Sequence, residues 1–364
     1  MATLKVNTVT NAAGTGSPDL PDGIAINNTV LASLNTMDYY AQSGEPSSPK
    51  DAALWFDTDD DVLKMYVNDE WVQVDYSNIP SPFGDRGVFG GGKPGTGNAS
   101  DVISYISIST LGNAVDFGDL LTGRTFLAAC SNGSRGVFGG GSNVNVIQYI
   151  TISTAGNAID FGDLTSTRYG LASFSDGSRG IFGGGYGGSY NNIEYITIAT
   201  TGNAIDFGDI SSNRYDLSGC SNTTYGLFGG GQSSSNRIDY ITIATTGNST
   251  DFGDLTVGRS NLSACSSNSR GVFAGGRTTT QVNTIDYVTI ATPGNATDFG
   301  DLTGVKQDFA GCSNGSRGVF GGGFISLDTA TNVIEYITID TPSNATDFGD
   351  LLSATQMLAS CSGD

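Results

Sequence analysis

One heptapeptide returns six times in this chain, and its spacing constrains the fold more than any other feature. It reads RGVFGGG from Arg86 and Arg135, RGIFGGG from Arg179, YGLFGGG from Tyr225, RGVFAGG from Arg270 and RGVFGGG from Arg317. The first glycines, Gly87, Gly136, Gly180, Gly226, Gly271 and Gly318, are 49, 44, 46, 45 and 47 residues apart. A period of this length marks a propeller blade or a related array, in which each unit buries its apolar face only against a neighbour.

Each unit contains four short runs rich in Val, Ile, Tyr, Phe and Thr. They are Leu127–Ser131 (LAACS), then RGVFGGG, then Ile147–Thr154 (IQYITIST), then Ala158–Leu164 (AIDFGDL). Such runs read as strands, and the Gly, Asn and Ser between them read as turns. The turn SNGS at Ser131–Ser134 joins the first two runs, and TTGN at Thr245–Asn248 joins the third and fourth. Asn-Gly and Gly-Asn pairs tolerate the positive φ of tight turns. The third run carries apolar residues on both faces, as expected of a strand sandwiched between two sheets.

Three of the four connections have fixed length. The tyrosine of the third run precedes the aspartate of the fourth by eleven residues, as in Tyr149 to Asp160. That aspartate precedes the next Cys position by fourteen, and the Cys precedes the motif glycine by six. Every length change falls between GGG and the third run. Before Gly87 no LAACS-like run occurs, whereas after the sixth fourth run comes MLASCS, from Met357 to Ser362. The pattern predicts an all-β fold: a six-bladed β-propeller over residues 81–364, four antiparallel strands per blade, the first blade closed by the C-terminal strand. Closure of this kind leaves only short outer edges. An open solenoid is the rival, and it would need capping repeats.

Composition narrows the function. Lys plus Arg number 16 against 36 Asp plus Glu, a formal charge of −20. A nucleic-acid binder needs a basic stripe and a membrane-surface binder a cationic face; neither occurs, so no nucleic acid and no membrane insertion is expected. The start of the chain lacks the apolar segment of a signal peptide. There is no histidine, which removes the usual general base and the commonest metal ligand. Cys130, Cys220, Cys265, Cys312 and Cys361 share one repeat position with Phe174. A position that takes Cys or Phe is apolar, so buried free thiols are expected.

The order of parts, with a strand ending in GG and an arginine before the next blade (Arg124, Arg168, Arg214, Arg259), resembles the kelch-like propeller family. The resemblance spans roughly 280 residues. Phe161, Phe207 and Phe252 stand where kelch units usually have Trp, so no specific kelch function carries over. Copper oxidation, found in some relatives of that fold, needs histidine.

The N-terminal segments LKVNTVTNAAGTGSPDLPDGI and ALWFDTDDDVLKMYVNDEWVQV resemble segments near the N-termini of tailed-bacteriophage fibre and other virion proteins. Residues 1–28 read as an extended polar arm. Residues 29–80 read as a small attachment module, a three-run β-meander carrying Trp55, Phe56, Tyr66 and Trp71, too small to bury much core alone. The resemblance implies a virion location and partners among other virion proteins; a module this small would dock on a partner, on the propeller or on copies of itself, making a homo-oligomer one expectation.

Candidate chemistry is sparse. The repeated DFGD pairs carboxylates such as Asp116 with Asp119. The main expectation is structural: these aspartates accept backbone N–H bonds or pair with the following arginine. Ca²⁺ is the alternative. Six equivalent pairs argue for scaffold rather than for one glycosidase centre, and no enzyme activity, cofactor or resident metal is expected. The length-tolerant connections gather at one face, and variable loops on a rigid scaffold are where recognition sits. The candidate contacts there are Lys93, Asn143, Asn145, Tyr186, Tyr190, Asn191, Asn192, Asn236, Arg237, Arg277, Phe324 and Asp328. Tyr and Asn suit a glycan or a protein epitope. The expected function is a tail-fibre-like virion protein displaying a recognition face to a host surface glycan or protein; the alternative is a non-enzymatic head or tail decoration protein that binds only other virion subunits.

Overall fold

The computed structural model describes residues 24–26, 29–31, 39–42, 53–57, 62–67, 70–73 and 84–363, except 96, 188–189, 234 and 327–328. The chain divides into two compact units, Met1–Ile79 and Pro80–Asp364. All regular elements among the described residues are strands, and no helix is long and apolar enough to cross a membrane.

In the first unit Ile24–Ile26 pairs with Thr29–Leu31 as a hairpin that spans the boundary expected at residue 28. The expected meander is present as Leu54–Asp57, Val62–Val67 and Glu70–Gln73. A fourth strand, Tyr39–Gln42, adds to it in parallel along Leu54–Asp57. Parallel pairing joins segments that no tight turn connects, so no local turn signal announces it. Tyr66 packs edge-on against Trp71 at 5.2 Å.

The second unit is a six-bladed β-propeller. Blade 2 runs Ala128–Ser131, Arg135–Gly139, Val146–Thr151, Ile159–Asp163, innermost to outermost. Blades 3 to 6 repeat this order from residues 172, 218, 263 and 310. Blade 1 takes its innermost strand, Ala359–Gly363, from the far end of the chain. It pairs with Arg86–Gly90 in the register Cys361↔Val88 and Ser362↔Gly87.

An apolar cluster fills each blade interface. Between blades 2 and 3 it includes Cys130, Val137, Ile147, Phe161, Phe182 and Ile196. The first GGG glycine lets the sheets close up: a Cβ at Gly139 would lie 2.8 Å from the Phe182 ring of the next blade. The DFGD glycine has two reasons to be Gly. At Gly118, φ is 144° where the register slips by one residue, and a Cβ would meet the Gly156 carbonyl of the next blade at 2.5 Å. Only Gly adopts such a bulge at no steric cost.

Two expectations about polar residues are corrected. The arginine before each blade pairs not with DFGD but with an acid buried in the third strand of the following blade. The pairs are Arg168–Glu194, Arg214–Asp239 and Arg259–Asp286, the last at 2.7 Å. In blade 6 Lys306 meets Glu335. The slots vary in the other blades: blade 2 keeps a buried Arg124 but has buried Gln148 where the acid would be, and blade 1 has Thr355 and Ser104. Among the described residues one DFGD carboxylate, Asp251, is in an ion pair, with Arg237 at 3.4 Å. The second correction concerns the Gly-Asn turns. Gly247 of the TTGN turn keeps a positive φ of 158°, but Gly112, Gly156 and Gly202 do not take positive φ. The asparagine after each glycine instead reaches the previous blade, where its Oδ1 accepts the main-chain N–H of the second DFGD aspartate, as in Asn157 to Asp119 at 3.0 Å. The sixth clasp, Asn113 to Asp350 at 3.0 Å, closes the circle.

Candidate functional site at the mouth of the central channel

The six innermost strands enclose a channel, and its two ends are built differently. At the end bearing the strand 1–2 turns, Ser131, Ser175, Ser221, Ser266, Ser313 and Ser362 each donate a hydroxyl to the serine carbonyl of the preceding blade, at 2.5–2.7 Å. The five cysteines lie in the same strands as buried free thiols. Burial pushes Cys220 up to about 12, and Cys312 to about 12 against a bond from Ser360, so these thiols stay protonated and unreactive.

At the opposite end, where the blade crossovers and the length-tolerant connections meet, six residues just before the innermost strands form another ring. They are Phe126, Gly170, Asp216, Asn261, Asp308 and Met357, all with φ between 54° and 64°. Each main-chain N–H donates to the carbonyl of the preceding member, at 2.7–3.0 Å, and Phe126 completes the circle by donating to Met357. Five of the six are not glycine. Holding them in the left-handed region costs on the order of 1–3 kcal/mol each, a strain sustained only because the hydrogen-bonded ring over-determines the backbone. Their side chains surround a cavity of about 130 Å³.

The mouth is lopsided. Blades 1, 2 and 3 contribute Met357, Phe126 and Gly170, while blades 4, 5 and 6 contribute Asp216, Asn261 and Asp308. Asn261 Nδ2 donates to Asp308 Oδ1 at 2.7 Å, and its amide also bonds to the Asp216 carboxylate. Gln307 Nε2 donates to Asp308 Oδ2 at 2.9 Å. Burial, then the charge of Asp308, pushes Asp216 up to about 7 against the bond from Asn261. Burial raises Asp308 too, opposed by its bonds to Gln307 and Asn261 and by the field of Arg277.

Beside Asp216 the aromatic residues gather. Tyr186 stacks on Tyr190 at 5.0 Å with 19° between planes. It also meets Tyr169 at 5.2 Å and Tyr215 edge-on at 5.3 Å, and Tyr169 reaches Phe126 at 6.0 Å. Tyr186 is 40% exposed. A bond to Tyr186 is the first cause of the raised Tyr190 pKa. Together these rings make a continuous platform across blades 2, 3 and 4.

The structure brings two of the expected contacts, Tyr186 and Tyr190, into this site and distributes the others. Asn143 and Asn236 are exposed and Asn191 is half-buried. Lys93 lies in a short strand opposite Gln356. Asn145 and Asn192 turn inward: Asn145 Nδ2 faces the Leu164 carbonyl at 3.4 Å, and Asn192 Nδ2 donates to buried Glu194 at 3.0 Å. Arg237 is held by Asp239 through Nε at 2.9 Å. Phe324 is half-buried and pairs by its backbone with Gln307. Arg277 is exposed. Asp328 lies outside the described residues, as do the side chains of Trp55 and Phe56. No group of three or more Cys, Asp or Glu among the described residues is placed to hold a metal ion.

The sequence reasoning missed Asp216, Asn261, Asp308, Tyr169 and Tyr215. A signal for the first three existed. Aligned by repeat, the residue four places before the Cys position reads Phe126, Gly170, Asp216, Asn261, Asp308, Met357. A position that swings from Phe to Asp inside otherwise faithful repeats is not serving the common scaffold. Compared with protein-family models and with curated proteins, the chain matches none.

Proposed function

We propose that this chain is a non-enzymatic recognition protein of a tailed-bacteriophage particle. In this reading the N-terminal unit attaches it to other virion proteins, and the propeller presents its crossover face to a host surface glycan. The observation that carries the recognition half is the tyrosine platform beside the channel mouth. Stacked and edge-on tyrosines offer a preorganised, partly exposed apolar surface with polar rims, which suits sugar rings at low entropic cost. The virion half rests on the resemblance of the N-terminal segments.

The test is retention of the full chain on immobilised host-surface glycans, beside a Tyr186→Ala/Tyr190→Ala variant. Retention falling at least about tenfold in the variant is expected, the scale of one lost aromatic anchor. Equal retention of the two proteins would sink the glycan reading. For the attachment half, deleting residues 1–79 should abolish incorporation into particles.

One observation favours the second reading, a decoration protein bound only to other subunits. The outermost strands of blades 1 to 3 begin with exposed Val115, Ile159 and Ile205, 53%, 59% and 57% accessible, where blades 4 to 6 have Thr250, Thr297 and Thr346. One-sided apolar edges of this kind suit a protein neighbour. Changing the three to Thr should loosen particle assembly under this reading and leave glycan retention unchanged.

A further inference from the structure

The polar half of the channel mouth has spent its donors and kept its acceptors. All six main-chain N–H groups of the ring are committed to the ring. The Asn261 amide is committed to the two carboxylates. Gln307, 8% exposed, gives Nε2 to Asp308, while its own Oε1 is buried without a donor. Two carboxylates, Asp216 and Asp308, therefore stand on one wall of the cavity, with the Gln307 carbonyl buried behind them. Among the described residues no ion pair neutralises Asp216 or Asp308. Arg277 acts on Asp308 only through its field.

The Asp216 carboxylate also leans toward the aromatic side. A Cβ on Gly170 would lie 2.5 Å from Asp216 Oδ1, so the carboxylate occupies the space that Gly170 leaves. Its charge reaches Tyr169, one end of the platform. Acceptors beside tyrosine faces call for a ligand that carries donors and positive charge, because cations are drawn both to carboxylates and to aromatic faces. An anion would be repelled. A divalent metal held mainly by protein oxygens would want more carboxylates than these two, and among the described residues no group of three or more acidic or thiol side chains gathers here.

We infer that the channel mouth binds a protonated amine carried by a sugar: an amino-sugar residue whose ring lies on the tyrosine platform and whose ammonium meets Asp216 and Asp308. This deepens the glycan reading above and rests on it. It goes further by naming the charge the ligand must bring.

The experiment is calorimetric titration of the full chain at pH 7 with three probes: a glucosamine trimer, its fully N-acetylated counterpart, and tetralysine. The free-amine trimer should bind about tenfold or more tighter than the acetylated one, the scale of a charge-assisted contact. Asp216→Asn/Asp308→Asn should erase that difference. Tyr186→Ala should weaken both sugars. Equal affinity for the free and acetylated trimers, or a preference that survives the double variant, would overturn the amine site while leaving the glycan reading intact. Tetralysine binding as tightly as the free-amine trimer would overturn the sugar assignment, and no heat from any probe would overturn the whole inference. The double variant removes repulsion rather than packing, and circular dichroism checks that it folds.

Discussion

The two ends of the channel are made from the same strands and obey different rules. At the end bearing the strand 1–2 turns, six serines donate in a circle, and that residue type is identical in every blade. At the crossover end the backbone circle is equally complete, yet the side chains it carries run from Phe to Asp. The comparison separates closure from display. Closing a ring needs six matching contacts, so every blade must conform. A backbone-only ring closes whatever side chains it bears, which frees those side chains to differ.

The sharpest way to break this picture is to remove closure itself. Truncation after Gln356 deletes the innermost strand of blade 1, opening both rings and exposing the neighbouring apolar cluster. The loss should rival the whole stability of a domain, about 5–15 kcal/mol. Scanning calorimetry should show no cooperative transition; a retained transition would mean that the ring does not depend on its last strand.

Next in size are the buried pairs beneath the crossover face. Arg168→Met leaves Glu194 buried without a cation and should cost roughly 3–5 kcal/mol in chemical denaturation. Arg124→Met, in the blade whose acid slot holds the neutral Gln148, removes bonds to the Gly140 and Val146 carbonyls and should cost about 1–3 kcal/mol. Equal losses would show that the charge pairing has no special place in these interfaces.

The serine ring and the mouth can then be compared directly. Ser221→Ala or Ser266→Ala should each cost about 1 kcal/mol, a typical hydrogen-bond loss. Asp216→Asn at pH 8 should cost nothing or stabilise, because it removes a carboxylate that burial and Asp308 disfavour.

A pH slope tests the mouth from another side. Asp216 titrates near 7 in the fold and near 3.8 unfolded, so the native state holds the extra proton in that window. Its contribution is full below about pH 4 and is lost as pH rises through about 7. Asp308 shifts in the same direction, while Asn261, Gln307 and Arg277 oppose. Stability should therefore decline from pH 5 to pH 8, and Asp216→Asn should flatten the curve. A wild-type midpoint that rises across that range would contradict the burial of this carboxylate.

Much of this architecture could be read from residue order. The first Gly-Gly-Gly residue, the DFGD glycine and the Cys position recur because sheets that meet at fixed distance accept only certain volumes, and fixed volume leaves a fixed pattern. The Arg168–Glu194 pair was half legible. The arginine recurs visibly, but its partner changes among Glu, Asp, Gln and Ser, and only the shared slot in the third strand unites them. The parallel strand Tyr39–Gln42 was illegible, since no turn residue connects it to its partner. The tyrosine platform was partly visible through Tyr186 and Tyr190; Tyr169 and Tyr215 sit in crossovers whose fixed length made them look like scaffold.

The repeat by itself determined the number of blades, the order of strands within them, the borrowed strand at the seam and the face that tolerates length changes. All of these follow from spacing, because five blades are stretches of consecutive residues folded on their neighbours and the sixth is completed by the leftover strand at the end of the repeat series. Only the tertiary structure decided that Asp216 and Asp308, two blades apart, share one cavity, and that Gly170 makes room for a carboxylate 46 residues later in the chain. Those meetings exist because curling the blades into a ring turns equivalent positions of separate repeats toward a common axis, a relation that linear order does not contain.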